Sequence, residues 1–220
     1  PFPYFYGYKT DGVFQNWNEV NSYVNAEGKL IQPDAQPGDF RYQDINGDGS
    51  ITAEGDRANL GKCVPSWTYG INASIDWKGI DFSMVWQGVA GNKIFDATRR
   101  TDIPTMNQPK YVLNRWTGEG STNDYPRFTV TDPNQNWSKA SDFFIKDASY
   151  FRLKNVTLGY TLPVNWTNKI FVKKFRVYVA CENALTFTKY DGFDPEIADY
   201  VDRGIYPQAR TVQFGANITF

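Results

Sequence analysis

The segment Asp44-Ile45-Asn46-Gly47-Asp48-Gly49-Ser50-Ile51 has the residue types and spacing of a calcium-binding loop. Such loops offer oxygen ligands from positions 1, 3 and 5, turn sharply at a glycine in position 6, and close with an acidic ligand at position 12. Asp44, Asn46 and Asp48 fill the first three places and Gly49 the turn, but position 12 is Gly55. One inserted residue would let Asp56 close the set, so the expected ligands are Asp44, Asn46, Asp48, Ser50 and Asp56. No flanking helices are evident, so calcium here would stiffen an isolated loop. The plain alternative is a hydrogen-bonded Asx turn with solvated carboxylates.

Other residues could do chemistry only in better company. Asp142, Asp147, Asp194, Glu196 and Asp199 are carboxylates from which a glycosidase acid and base could be drawn. Nothing in the sequence sets two of them at the required separation, and they read as solvated loop charge. The chain has no histidine, which removes His-based catalysis and His-ligated zinc. Cys181 therefore has no imidazole to activate it, and a disulfide between Cys63 and Cys181 is not expected. Trp116, Tyr125, Trp137 and Tyr190 could stack on sugar faces or apolar side chains; they could equally pack the loops together. No enzyme is expected.

The elements that carry these loops are strands. Helical periodicity is nearly absent, and period-two alternation governs the second half. In Ser66–Trp77, Trp67, Tyr69, Ile71, Ala73, Ile75 and Trp77 share one face, while Thr68, Gly70, Asn72, Ser74 and Asp76 share the other. Lys78-Gly79 is a minimal turn, and residues 80–90 return with Ile80, Phe82, Met84 and Trp86 aligned. Three more strands follow, at 150–162, 175–187 and 210–220. The faces of 175–187 do not separate cleanly, whereas Val212, Phe214, Ala216, Ile218 and Phe220 alternate with polar residues throughout.

The polar faces carry Thr, Asn, Gln, Ser and Gly rather than many Lys and Glu, as expected for a barrel lumen rather than bulk water. Aromatic residues bracket the apolar faces like interfacial girdles. Composition agrees: 17% aromatic with a mean hydropathy of −0.53 suits a wall between lipid and water. A balance of 23 basic against 24 acidic residues leaves no footprint for nucleic acid. No apolar run reaches the roughly 18–20 residues of a spanning helix.

The fold class expected is therefore all-β: antiparallel transmembrane β-barrel strands with long extracellular loops. Residues 1–65 form a loop region containing the acidic segment, and residues 66–220 hold the strands and their loops. Short connections at Lys78-Gly79 and 163–174 lie on one side, periplasmic by the rule for such barrels, which places Phe220 there too. Five strands cannot close a barrel and would leave open edges in hydrocarbon, so further strands must come from elsewhere, most simply from an N-terminal part of the same protein. The opening Pro1-Phe2-Pro3-Tyr4 has no signal-peptide pattern, consistent with processing or with an internal fragment.

A series of motifs also carries a family resemblance. It runs through Phe5-Tyr6-Gly7-Tyr8-Lys9-Thr10-Asp11-Gly12, Pro37-Gly38-Asp39, the acidic loop, Trp67-Thr68-Tyr69-Gly70 and Trp86-Gln87-Gly88. It continues through Phe151-Arg152-Leu153-Lys154-Asn155-Val156-Thr157-Leu158-Gly159-Tyr160, Gly192-Phe193-Asp194-Pro195-Glu196, Tyr206-Pro207-Gln208 and Phe220. In this order the chain resembles the C-terminal part of SusC/RagA-like TonB-linked outer-membrane proteins.

The resemblance implies a barrel of about 22 strands with an N-terminal plug, surrounded by outer-membrane lipid in a bacterial cell. It implies a SusD-like surface lipoprotein as partner, energy delivered through TonB, and recognition of Phe220 by the barrel-assembly machinery. It implies import of oligosaccharides, or of peptides in some members. The rival reading is a secreted glycan-binding β-sandwich using the loop aromatics as its platform.

Overall fold

The computed structural model describes residues 3–99 and 107–220; Pro1, Phe2 and residues 100–106 lie outside the described residues. The chain divides into two compact units. One gathers Pro65–Asn92, Asp147–Ala198 and Ile205–Phe220; the other gathers Pro1–Val64, Lys93–Lys146 and Asp199–Gly204. The segment before residue 65 is therefore not a unit by itself: it folds together with the long connection after residue 92.

The first unit is a five-stranded antiparallel sheet: β1 (Trp67–Trp77), β2 (Ile80–Ala90), β3 (Tyr150–Thr161), β4 (Lys174–Thr188) and β5 (Thr211–Thr219). Strands neighbour one another in chain order, so the sheet is a simple up-and-down meander. Lys78 and Gly79 both have positive φ (49° and 89°), as a two-residue primed turn requires, and Trp77 pairs directly with Ile80. Eleven residues at ~3.3 Å each, tilted by about 40°, cover roughly 28 Å, the thickness of a bilayer's hydrocarbon.

Register is interrupted once, near the far end from that turn. Lys154 is an extra residue against β2, and Asn183-Ala184 stand opposite it in β4, with Asn183 at φ 50°. The single extra residue switches the phase of β3, whose apolar side passes from Tyr160, Leu158 and Val156 to Leu153 and Phe151, whereas the two residues Asn183-Ala184 leave β4 in one phase from Val177 to Phe187. The faces of β4 blur in the sequence because Tyr178 and Ala180 stand on its polar side.

The second unit is built from short pieces. Tyr4–Tyr8 pairs with Arg57–Lys62, Thr10–Val13 pairs with Phe40–Tyr42, and Val201–Asp202 lies parallel to Lys93–Asp96. Its one-and-a-half-turn helix, Trp17–Ser22, starts because Asn16 accepts from the Glu19 amide at 3.0 Å while Glu19 accepts from the Gln15 amide at 2.8 Å. Among the described residues three apolar clusters hold it together: Tyr8, Val13, Phe40 and Tyr42; Phe14, Val20 and Ala35; and Val112, Trp137 and Phe144. Between the elements runs a polar seam: the fully buried Asp39 accepts from Arg127 Nε at 2.5 Å and from Asn136 at 2.8 Å.

Candidate functional site

The sheet has two chemically distinct faces. On the apolar face, Trp67 is 73% exposed and Phe214 84%, with Ile71, Ile75, Trp77, Val212 and Ile218 also open. A soluble sandwich would bury this face against a second sheet. An apolar sheet face left open suits lipid as its solvent. Towards the far end from the Lys78-Gly79 turn it carries a run of rings: Tyr69 lies 5.7 Å from Phe151, Phe151 stacks on Trp86 at 4.6 Å, and Trp86 on Phe187 at 6.3 Å. At the turn end stand Trp77 and Tyr160. Aromatic residues at both ends are the arrangement of interfacial belts.

Among the described residues, the polar face carries two ion-pair networks. Near the turn, Arg176 on β4 passes over β3 to reach Asp81 on β2 through Nε, at 2.8 Å, and a second guanidinium nitrogen. At the far end, Arg152 projects from the start of β3 beside the bulge and is almost fully buried (3%). Its guanidinium donates to Asp194 at 2.7 Å, Glu196 at 2.9 Å and Thr186 at 2.9 Å. Lys154 donates to Glu196 at 2.7 Å and to Gln208 at 3.1 Å. Asp194 also accepts from the backbone amides of Glu196 and Gln208. Burial pushes the Asp194 carboxyl up, but the hydrogen bonds from Arg152, Gln208 and Glu196 outweigh it and hold it below its ordinary value. The network rivets two separate stretches of the connection after β4 onto the barrel wall. Its carboxylates are committed to cations and amides, which is a structural arrangement rather than an acid and base facing a substrate.

In the second unit the acidic loop folds on its own carboxylates. Asp44 accepts from the amides of Gly47 (2.7 Å) and Gly49 (2.8 Å), and Asp48 from the amide and hydroxyl of Ser50, each at 2.9 Å. Asp56, fully buried, accepts from the amides of Ile45 (2.8 Å) and Thr52 (2.7 Å). Carboxylate oxygens of Asp44, Asp48 and Asp56 come within 4.8 Å of one another. Hydrogen bonds from Asn46 and Ser50 hold the Asp48 carboxyl below its usual range. Asn46 and Ser50 thus present hydrogens to Asp48, the Asn46 amide orientation following from that network.

Sequence and fold comparisons place this geometry. TonB-dependent receptor P3 of Formosa agariphila is 31% identical over 230 residues, spanning 98% of this chain and 22% of that receptor. TonB-dependent receptor SusC of Bacteroides thetaiotaomicron is 25% identical over 193 residues, 87% of this chain and 19% of SusC. The chain belongs to the SusC/RagA-like TonB-dependent receptors. A structure of the RagAB peptide transporter superposes with a TM-score of 0.73 at 23% identity, covering 99% of this chain and 22% of that one. No family model matches the chain. The chain spans about a fifth of the length of the curated relatives it matches. Its sheet is a portion of the transmembrane barrel of this receptor family.

Within this SusC-like segment, the aromatic residues singled out from sequence fall in different places. Trp137 is only 2% exposed: its indole N–H donates to the Arg127 carbonyl, and Arg99 lies 4.7 Å above its ring. That position is core, packed with Val112 and Phe144. Trp116 is half-buried, its indole donating to Gln15 at 3.2 Å, and Tyr125 packs edge-on against Phe143 at 5.6 Å. Tyr190 is buried in the other unit, in the connection that Arg152 and Lys154 pin. Phe220 follows β5 and is well exposed, and Cys63 and Cys181 are free thiols. The Arg152 network is the feature that sequence reasoning missed. Asp194 is not solvated loop charge but a buried ion-pair partner. The available signal was two cations, Arg152 and Lys154, on a strand face otherwise made of uncharged polar residues.

Proposed function

We propose that this chain supplies a sector of barrel wall and the outer loops of a TonB-dependent active importer in the bacterial outer membrane. The observation that carries the reading is the uncovered apolar face of the five-stranded sheet, from Trp67 to Phe214, which only lipid can solvate. The wall sector makes no covalent bond. Its polar face lines the passage, and the Arg152–Asp194 lock sets the position of the connection that follows β4. Energy would come through TonB, a SusD-like lipoprotein would work above the loops, and Phe220 would guide the assembly machinery.

The cargo proposed is an oligosaccharide. The likeness to the RagAB peptide transporter favours peptide as a second reading. The deciding experiment purifies the intact receptor with its lipoprotein and measures binding to matched panels of oligosaccharides and peptides. Saturable binding to an oligosaccharide, lost when the lipoprotein is removed, is expected. Binding confined to peptides selects the second reading, and native folding of the receptor without detergent or lipid would sink both.

We propose further that Asp44, Asp48 and Asp56 hold a structural calcium ion. The carboxylates fit a hard cation: each retains lone pairs beyond its present hydrogen bonds. Asn46 and Ser50 would have to rotate to offer oxygen. Calcium should raise the thermal midpoint of the intact receptor above that in chelator; an unchanged midpoint excludes the ion.

A further inference from the structure

The apolar face is not uniformly flat. Between β3 and β4, on the turn-side half, lies a groove of about 470 Å³. Ile80, Leu158, Tyr160, Val177 and Val179 line it, and the ring of Phe214 forms one wall. Its volume falls in the range of sites that hold a whole ligand, and its lining is almost entirely apolar.

Charge at the neighbouring rim is one-sided. Lys78 in the β1–β2 turn folds back over Trp77, its ammonium 5.0 Å from the ring centroid, which keeps it on the apolar side. Lys173 precedes β4 and alternates in phase with Phe175 and Val177, the groove side, and Lys169 sits exposed in the same connection. Among the described residues, these three lysines form no ion pair. The carboxylates carried by the strands at this end, Asp76 and Asp81, face the polar side, and Asp81 is held by Arg176. Trp166 and Phe171 stand exposed in the β3–β4 connection, at the level where amphipathic rings settle among headgroups. From Val177 to Lys173 is four residues, roughly 13 Å along the strand. A lysine reaching back from there meets the phosphate level while an acyl chain lies in the groove.

We infer that the groove lined by Ile80, Leu158, Val177, Val179 and Phe214 binds one acyl chain of an anionic glycerophospholipid, whose phosphate is held by Lys78 and Lys173. The inference rests on the barrel fold and not on what the receptor imports. It differs from general wetting by lipid in two respects: the chain contact is confined to one groove, and the headgroup is selected by charge.

The test uses the intact receptor in phosphatidylethanolamine vesicles doped with phosphatidylglycerol bearing a photoreactive acyl chain. Cross-links are expected on the Leu158–Tyr160 and Val177–Val179 stretches. Unlabelled phosphatidylglycerol should displace the probe better than phosphatidylethanolamine, by about fivefold for each lysine. Lys78→Gln with Lys173→Gln should abolish that preference. Val177→Trp, which fills the groove, should move the cross-links away, whereas Ile75→Trp elsewhere on the same face should not. Heat-modifiable gel mobility verifies that each variant is folded. Cross-links spread evenly over the apolar face, or a headgroup preference unchanged without the lysines, would overturn the inference and leave adventitious annular lipid only.

Discussion

Arg176 reaches across the whole width of a neighbouring strand to bind Asp81, donating from two guanidinium nitrogens. The strand between them is β3, and the residue beneath the bridge is Gly159. A Cβ at Gly159 would sit 2.5 Å from an Arg176 terminal nitrogen and from both Asp81 oxygens. A glycine here is required by what passes over it, since its φ is unremarkable. The guanidinium also offsets the charge of Asp81, which the β1–β2 register sets opposite Asp76. Without the guanidinium, the repulsion of these like charges across the ladder would be uncompensated.

Gly159→Ala should therefore act by displacing the ion pair. The expected loss is about 1–2 kcal/mol, combining modest overpacking with a weakened bidentate contact. The decisive measurement is a double-mutant cycle by denaturant unfolding of the intact receptor in lipid. In an Arg176→Met background, Gly159→Ala should cost much less. Costs that simply add would show that the alanine clashes with the backbone instead.

Arg152 poses a harsher case. Its side chain and that of Asp194 are each 4% exposed, so removing one partner leaves an uncompensated charge in a dry site. Arg152→Ala should cost roughly 3–5 kcal/mol. Lys154→Ala should cost about 1 kcal/mol, because its partner Glu196 is partly open to water and keeps Arg152. The same difference should appear in limited proteolysis. Cleavage between residues 189 and 208 should rise sharply in the Arg152 variant and little in the Lys154 variant. Equal protection in both would contradict the lock.

The lock also carries a pH dependence of known sign. The Asp194 carboxyl is held below its ordinary value of 3.8 in the folded protein. A depressed folded value contributes stability that is fully present above the unfolded value. It is lost as pH falls through the lower, folded one. Acidification should therefore expose the 189–208 connection to an acid-active protease only in strongly acidic buffer, below about pH 4. Asp194→Asn should flatten that acid step. A step of the same size in the variant would assign the dependence to another carboxylate.

Legibility in the sequence followed the regularity of the physical pattern. The turn at Lys78-Gly79 and the alternation of β1, β2 and β5 were readable because each residue's environment repeats with period two. β4 is readable as a strand but not as faces, since Tyr178 and Ala180 fall on its polar side and the unpaired Asn183-Ala184 interrupts its ladder. The unit formed by residues before 65 and after 92 reads as loops, because its strands are only two to six residues long. Its order comes from side chains such as Asp39, Arg127 and Asn136, whose partners lie about ninety residues apart. Trp137 illustrates the same limit: a loop tryptophan looks like a ligand platform until Val112, Phe144 and Arg99 are seen around it.

The acidic loop allows its ion and its own hydrogen bonding to be separated. Asp56 is fully buried and satisfies two backbone amides, those of Ile45 and Thr52, that span the loop. Asp56→Ala strands those donors and should destabilise the loop by about 1–3 kcal/mol for each one left unpaired, whether or not calcium is present. Asp48 is exposed, and its partners Asn46 and Ser50 are themselves at the surface. Asp48→Asn should leave stability in chelator nearly unchanged. With calcium bound to the native loop, mass action adds stability that grows with the logarithm of ion concentration. Thermal midpoints measured over a calcium titration should thus rise for the native receptor and stay level for Asp48→Asn. They should begin lower for Asp56→Ala at every concentration, chelator included. If the native and Asp48→Asn curves coincide across the titration, the loop is an Asx-turn scaffold that stands on Asp44 and Asp56 alone.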